Sequence, residues 1–270
     1  MRIATWNVNS LRARLDRTLN YLQEHQVDVL ALQETKVKDE AFPSQAFEEI
    51  GYQVARSGFN QWNGVAVVSR VGLANVQTAL PGQPAFAKPG TEPQVEARAL
   101  AADCDGVTVW SLYVPHGRGQ NDPHMAYKLR FLRTLADDAA SWLAANPSAQ
   151  IALVGDFNVA PLDTDVWDPA AFEGLTHVSP AERAAFAALA EAGFREVTRE
   201  HLPAEHLYTQ WDYQQLRFAK DEGMRIDFAY CSPALADRVT SVAIIRDERK
   251  GKGASDHVPV ELTIASGPLL

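Results

Sequence analysis

The sequence predicts an α/β fold, read as two β-sheets packed together with helices on their outer faces. Three observations lead there. Short apolar runs with the character of buried strands alternate with segments whose apolar residues recur at helical spacing. The middle of the chain is a series of short strands separated by Gly and Pro punctuation. A chain of 270 residues that is 46% hydrophobic can also bury a large core. Periodicity alone does not separate such a sandwich from a doubly wound sheet. No fixed-period repeat, low-complexity tract or linker interrupts the chain, so residues 1–270 are expected to form a single domain.

The elements follow in order. RIATW reads as a strand, and Ser10 as the cap of a helix whose Leu11, Leu15, Leu19 and Leu22 share a face. VDVLALQ is a buried strand with Glu34 just past its end. From Tyr52 onward GVAVVSR, VEARALA and VTVWSLYV are short strands, and LPGQPAFAKPGTEP is an exposed loop. Asn121, Asp122 and Pro123 introduce a long helix with Leu129, Leu132, Ala136, Ala139 and Leu143 on one face, followed by the buried strand IALVG. In SPAERAAFAALAEAG, Ser179 is the cap, Pro180 the first helical residue, Glu182 completes a capping box and Gly193 ends the helix. MRIDFAY, VTSVAII and PVELTI complete the strands.

Bulk properties narrow the function classes. No run of about twenty apolar residues is present, and the N-terminus enters a strand-like segment, so a soluble, cytoplasmic protein with no membrane partner is expected. Cys104 and Cys231 are too few for a disulfide framework and lack zinc-like spacing, so both are expected to pack. A formal charge of −9 argues weakly against a nucleic-acid partner, since phosphate binding is driven by Lys and Arg, although charge distribution decides. The basic residues are clumped, however. Arg12, Arg14 and Arg17 follow the first strand, Lys36 and Lys38 the second, and Arg246, Arg249, Lys250 and Lys252 precede Asp256 and His257. Each clump borders a candidate catalytic string, where a phosphate backbone would need countercharge.

Polar residues collect where the predicted strands end. Asn7 ends the first strand, Glu34 follows the second, Tyr113 and His116 follow VWSLYVP, Asp156 and Asn158 follow IALVG, Asp227 lies in MRIDFAY, and Asp256 with His257 precedes PVELTI. One strand-end Asp is ordinarily a turn or a cap. A whole set, with an amide or imidazole beside two of the acids, is the side-chain kit for orienting a water and neutralising a phosphate in metal-assisted hydrolysis. Carboxylates gathered this closely would repel one another without a cation.

ATWNVNSLRAR, LALQETK, NGVAVVSR, LYVPHGR, LVGDFNVAP, GMRIDFAY and GASDHVPVEL, in this order, resemble the exonuclease III family of DNA repair nucleases, also known as apurinic/apyrimidinic endonucleases. GDFN and SDH are shared with the wider endonuclease, exonuclease and phosphatase superfamily, whereas NSLRAR, LQETK and GMRID are more specific to the repair branch. The resemblance implies a four-layered α/β sandwich of two packed mixed sheets flanked by helices, with pseudo-symmetric halves and the active site at one edge. It implies Mg²⁺, with Mn²⁺ as an alternative, held by Glu34 with Asn7 beside it and Asp256 in the inner or outer shell. Asp156 would orient and deprotonate the attacking water, Asn158 hold that water or the phosphate, and His257, paired with Asp227, donate to a phosphate oxygen. Tyr113 would add a phenolic contact. Whether Asp156 or His257 is the base, and whether one or two metals act, stays open.

The implied substrate is double-stranded DNA, above all abasic or 3′-blocked, bound by a monomer that incises on the 5′ side of abasic sites and trims 3′ ends. His116 stands where the family usually has Asn, at a position expected to touch phosphate, and Arg118 would reach the duplex groove. Gln210, Trp211, Met224 and Ile226 fall on the segment that walls the pocket for a flipped, baseless sugar, and Gln210 replaces the family's usual aromatic there. The other histidines, His25, His124, His177, His201 and His206, are expected to be structural or exposed, and Asp163 with Asp165 to be turn chemistry. Two further classes compete: a noncatalytic regulator of the same fold, against which the intact acid set speaks, and a phosphatase on small phosphoesters, which the basic framing fits less well than a polymer backbone.

Overall fold

Each sheet is organised around one parallel strand pair, and a parallel pair needs a long crossover, here a helix. In the computed structural model, which describes residues 1–87 and 90–267, β1 (Arg2–Asn7) runs parallel to β2 (Val29–Gln33) across α1 (Leu11–Glu24). After α2 (Ser44–Glu48), β3 (Gln53–Ser57) and β4 (Val65–Ser69) extend that sheet in antiparallel pairs. β5 (Ala74–Gln77), β6 (Ala99–Cys104) and β7 (Val107–Tyr113) open the second sheet, and β7 runs parallel to β8 (Ile151–Asp156) across α3 (Pro123–Ala145). α4 (Pro180–Glu191), β9 (Arg195–Glu196), α5 (Val197–His201) and α6 (Arg217–Lys220) lead to β10 (Asp227–Cys231), antiparallel to β8. α7 (Pro233–Ala236) returns the chain to the first sheet, which β11 (Val239–Ile244) and β12 (Val260–Ile264) complete against β1.

The strand orders are β11-β12-β1-β2-β4-β3 and β5-β6-β7-β8-β10-β9, so the two sheets share one topology although no sequence repeat announces it. Three apolar layers hold the sandwich together. Ile3, Val29, Val67, Val109 and Val154 meet between the sheets, with both cysteines buried among them. Phe131, Leu135, Phe186 and Leu189 seal α3 and α4 against the second sheet. Leu11, Leu22 and Phe47 seal α1 and α2 against the first. Central strands covered on both faces read as continuous apolar runs, and every residue of β2, β4 and β8 is buried. A polar link crosses the inter-sheet core: Gln33 Nε2 donates to Ser111 Oγ at 2.9 Å, and Ser111 Oγ donates to Leu32 O at 2.8 Å. Among the described residues no helix is long and apolar enough to cross a membrane.

Local expectations fared unevenly. Ser179 and Glu182 form the capping box over Pro180 as expected. Ser10 stands at a helix start but makes no side-chain cap; its φ is 92°, and the amides of Ser10 and Leu11 donate instead to Glu34 O (2.8 Å) and Thr35 O (3.0 Å). The first helix is thereby docked on the segment that carries Glu34. The buried face of α3 is centred on Tyr127, Phe131, Leu135 and Ala139, with Leu129 and Leu143 at its margin, because the sheet's aromatic layer selects the face and apolar spacing alone does not. The loop expected to be exposed is partly tucked in: Leu80 and Gln83 are buried and Phe86 stacks on Tyr127 at 5.0 Å. Lys88 and Pro89 of that loop lie outside the described residues. β5, an exposed edge strand, carried no apolar signal.

Candidate active site

Strand register brings the polar residues to one edge of the sandwich. Tyr113 pairs with Asp156 across β7 and β8, and Asp156 pairs with Asp227 across β8 and β10, so three candidate side chains stand on three adjacent strands. Asn7 pairs with Gln33 across β1 and β2, which sets Glu34 beside it. Gly155 is required just before Asp156: its φ is 152°, and a Cβ there would lie 1.9 Å from Leu112 O. Asn9, Glu34, Lys36 and Asn158, non-glycine residues in the strand-end loops, all have positive φ near 50°, the kind of backbone cost that collects at functional sites.

The two sheets meet at Asn7. Its amide donates to Glu34 Oε1 at 2.9 Å and to Asp156 Oδ2 at 3.0 Å, joining one carboxylate from each sheet. Asp156 Oδ1 accepts the Asn158 amide N–H at 2.9 Å. His257 Nδ1 lies 2.9 Å from Asp227 Oδ2, and its Nε2 points at Asp156 Oδ2 from 3.8 Å, beyond a hydrogen bond. Thr209, overlooked in the sequence, donates to Asp227 Oδ2 at 2.6 Å and fixes that acid. Ser255 donates to Asn7 O at 2.7 Å and locks the loop of Asp256 and His257 onto β1.

Charge in this site is decided by burial and by the charges that face one another. Asp156 is 1% exposed, and desolvation pushes its carboxyl up to about 7, with His257 opposing and Asp227 and Glu34 adding to the rise. Burial disfavours a charged imidazole, yet Asp227 and Asp156 together hold His257 well above the ordinary histidine value, so the ring is a cation and a donor at both nitrogens. Burial and the neighbouring Glu34 raise the Tyr113 phenol, which therefore keeps its proton. Arg98 lies 4.7 Å over that ring and is held by Glu96.

Ligand atoms of Glu34, Asp156 and His257 all lie within 4.8 Å of one another. With His257 engaged and cationic, the donors left are carboxylate oxygens, and one buried and one half-buried carboxylate beside one amide suit a hard divalent cation that keeps several waters. Asp256, the other acid expected near a metal, stands outside this group: it accepts from Asn9 Nδ2 at 3.0 Å and lies 3.5 Å from Gln210 Nε2. Asn9, also overlooked in the sequence, bridges outward from Asn7 to Asp256, and Lys36 is bonded to both Asn9 and Glu34.

The expected substrate residues separate. His116 and Arg118 are exposed beside Tyr113 and border a cavity of about 250 Å³ with Arg98 and His124. Gln210 and Met224, paired through their backbones, line a cavity of about 210 Å³ whose other walls include Trp167, Phe172 and Leu175. Trp211 does not reach a substrate: it is 0% exposed, packs on Tyr208 and Phe218, and donates to Asp221. Ile226, 2% exposed among Ala160 and Val166, supports the cavity from behind. His177 is buried behind Asn158, its Nδ1 2.7 Å from Asn158 O. Arg17 pairs with Glu248, Arg246 with Asp221 and Lys250 with Asp247, and Arg246 and Lys250 are nonetheless exposed, as are Arg12, Lys38 and Lys252. Asp165 caps its own turn and is paired with Arg199, as turn chemistry predicts.

The family model described as the endonuclease/exonuclease/phosphatase family matches residues 4–257. Exodeoxyribonuclease III of Haemophilus influenzae is 28% identical over 275 residues, covering 96% of this chain and 98% of that protein. An AP endonuclease from Archaeoglobus fulgidus is 31% identical with a TM-score of 0.89, covering 98% of this chain and 100% of the other. The 3′ phosphatase NExo from Neisseria, solved with a product DNA hairpin, is 33% identical with a TM-score of 0.91 and the same 98% and 100% coverage.

Proposed function

Because the chain belongs to the endonuclease/exonuclease/phosphatase family and is a DNA repair nuclease of the exonuclease III type within it, we propose that it is a Mg²⁺-dependent phosphodiesterase that incises duplex DNA beside abasic sites and removes nucleotides or blocking groups from 3′ ends. It would act as a single-domain monomer in the cytoplasm. The observation that supports this reading best is the meeting of Glu34, Asn7, Asp156 and the Asp227–His257 pair at one edge of the sandwich.

Each residue's part follows from its surroundings. Asp156, held by Asn7 and Asn158, is placed to orient a water and take its proton. His257, cationic because Asp227 and Asp156 face it, donates to a nonbridging phosphate oxygen, and its positive charge grows in value as negative charge develops there. Tyr113 keeps its proton and donates to the phosphate or the departing oxygen, while Asn158 steadies the phosphate or the water. Glu34 and Asn7 would hold the divalent cation, with Asp256 reaching it through the surrounding hydrogen bonds, and the bound cation would neutralise charge on the phosphate and on the departing 3′ oxygen. Assay of the purified chain on duplexes carrying an abasic analogue, a 3′ phosphate or a recessed intact end, with Mg²⁺ and with chelator, tests the reading. Activity on none of them would end it.

Metal binding should be linked to a proton. With Asp156 raised to about 7, a cation beside it must displace a proton from the acid, so affinity is expected to weaken as pH falls from 8 to 6. Calorimetric titration with Mg²⁺ in two buffers of different ionisation enthalpy measures that proton. An affinity and an apparent enthalpy indifferent to pH and buffer would remove Asp156 from the metal's neighbourhood.

Gln210 sets the expected specificity. An amide on the cavity wall solvates it and lowers the penalty for admitting a polar base, so abasic sites and ordinary 3′ ends should be separated less sharply than by an aromatic wall. Gln210→Trp should raise abasic incision relative to 3′ exonuclease activity several-fold, as a contact worth about 1 kcal/mol would. Both rates are taken on one duplex scaffold at one salt concentration. A ratio that stays put, or moves toward exonuclease, would show that Gln210 does not contact the sugar.

A further inference from the structure

Directly behind the site sits a buried ion pair that the reaction leaves unused. Lys128 of α3 and Glu182 of α4 are each 0% exposed and bonded to one another. Lys128 Nζ also donates to Asn158 O at 2.6 Å and to His116 O at 3.2 Å. Glu182 Oε1 accepts from the His177 amide at 2.9 Å, and Oε2 accepts from the Ser179 hydroxyl at 2.6 Å. Thr176 Oγ1 lies 2.8 Å from both Glu182 Oε1 and His116 O. Three loops, those after β7 and β8 and the one before α4, are thus gathered on one pair of opposite charges.

Stability is a poor reason for such a pair. Desolvating two charges cancels much of their attraction, and well-packed apolar residues of similar volume often serve as well or better. What apolar side chains cannot do is aim carbonyls. Asn158 has a φ of 51°, its carbonyl is taken by Lys128 and its side-chain amide by Val114 O at 2.9 Å, so the residue is oriented from two directions. His116 is oriented the same way through its carbonyl. We infer that Lys128, clamped by Glu182, is a positioning residue for the phosphodiester reaction, holding the Asn158 and His116 loops in register with Asp156. The inference rests on the reading of the site given above.

The test compares the unmodified chain with Lys128→Arg, Lys128→Met and the double variant Lys128→Met/Glu182→Gln. Lys128→Met alone strands a buried carboxylate and can fail to fold, whereas the double variant is neutral and keeps an acceptor for the Ser179 cap. The double variant is expected to melt within a few degrees of the unmodified chain and to bind a 3′-recessed duplex, in chelator, with unchanged Kd. Its kcat should fall roughly 10- to 100-fold, the scale of a small misplacement of reacting groups, with no change in the Mg²⁺ concentration needed. Lys128→Arg should recover most of kcat. A double variant with full kcat overturns the inference, and so does a loss of kcat matched by losses in melting temperature and binding. If the unmodified chain is inactive on DNA the reading of the site fails and the inference falls with it, whereas an active chain beside a fully active double variant overturns the inference alone.

Discussion

Asp156→Asn is expected to bind duplex DNA as the unmodified chain does while turning over roughly 10²- to 10⁴-fold more slowly, the range that positioned proton transfer contributes. The substitution preserves volume, and its amide oxygen can still accept the Asn158 N–H that Asp156 Oδ1 accepts at 2.9 Å. What it loses is basicity, together with the acceptor that Asp156 Oδ2 offers the Asn7 amide at 3.0 Å, and a base acts in the transition state more than in the ground state. Binding is measured on an uncleaved duplex in chelator and turnover in single-turnover kinetics, so that product release does not mask the chemical step. Equal losses in affinity and turnover would make Asp156 a substrate-positioning group, and an undiminished rate would remove it from the chemistry.

Glu34→Gln should nearly abolish activity at ordinary Mg²⁺ and regain part of it at high metal. Loss of a residue that merely supports a metal ligand typically costs 10- to 100-fold in metal affinity, so loss of a ligand itself should cost roughly 100-fold or more. The amide still fits: Asn7 donates to Glu34 Oε1 at 2.9 Å, and an amide oxygen can take that bond. Lys36, 2.8 Å from Glu34 Oε2, loses its ion pair, which makes the site more positive and opposes cation binding further. Titrating activity against Mg²⁺ for both proteins checks this. A variant with an unchanged metal requirement would show that Glu34 is not a ligand.

Much of the site was legible because strand ends are local features. An apolar run shows where a buried strand stops, and Glu34, Asp156 and Asn158 stand just past such stops. The supporting residues were not legible. Asn9 and Thr209 are ordinary loop residues in the sequence, and they matter because the fold sets Asn9 between Asn7 and Asp256 and Thr209 against Asp227. Trp211 shows the converse error. Its neighbours in sequence belong to the cavity wall, but a large aromatic gains more by burial against Tyr208 and Phe218 than by facing solvent. The basic clumps were legible only as charge, since a string of letters gives the sign of a charge and not its partner, and Arg17 and Arg246 are paired within the chain.

By itself, then, the sequence determined the alternation of strands and helices, the capping box at Ser179, and the chemical types gathered at the strand ends, because each depends on spacing along one short segment. Only the tertiary structure decided which ends meet. Parallel pairing of β1 with β2 and of β7 with β8, and antiparallel pairing of β10 with β8, are register choices between distant segments, and a one-residue slip in any of them would turn Asn7, Tyr113 or Asp227 to the opposite face. Packing of one sheet on the other then let a single amide, Asn7, touch a carboxylate from each, and while burial at that contact raised Asp156, the acids brought to face His257 raised the imidazole against burial. Desolvation depends on every layer around a group, which is why the acids could be named from the sequence while their charge states had to come from the fold.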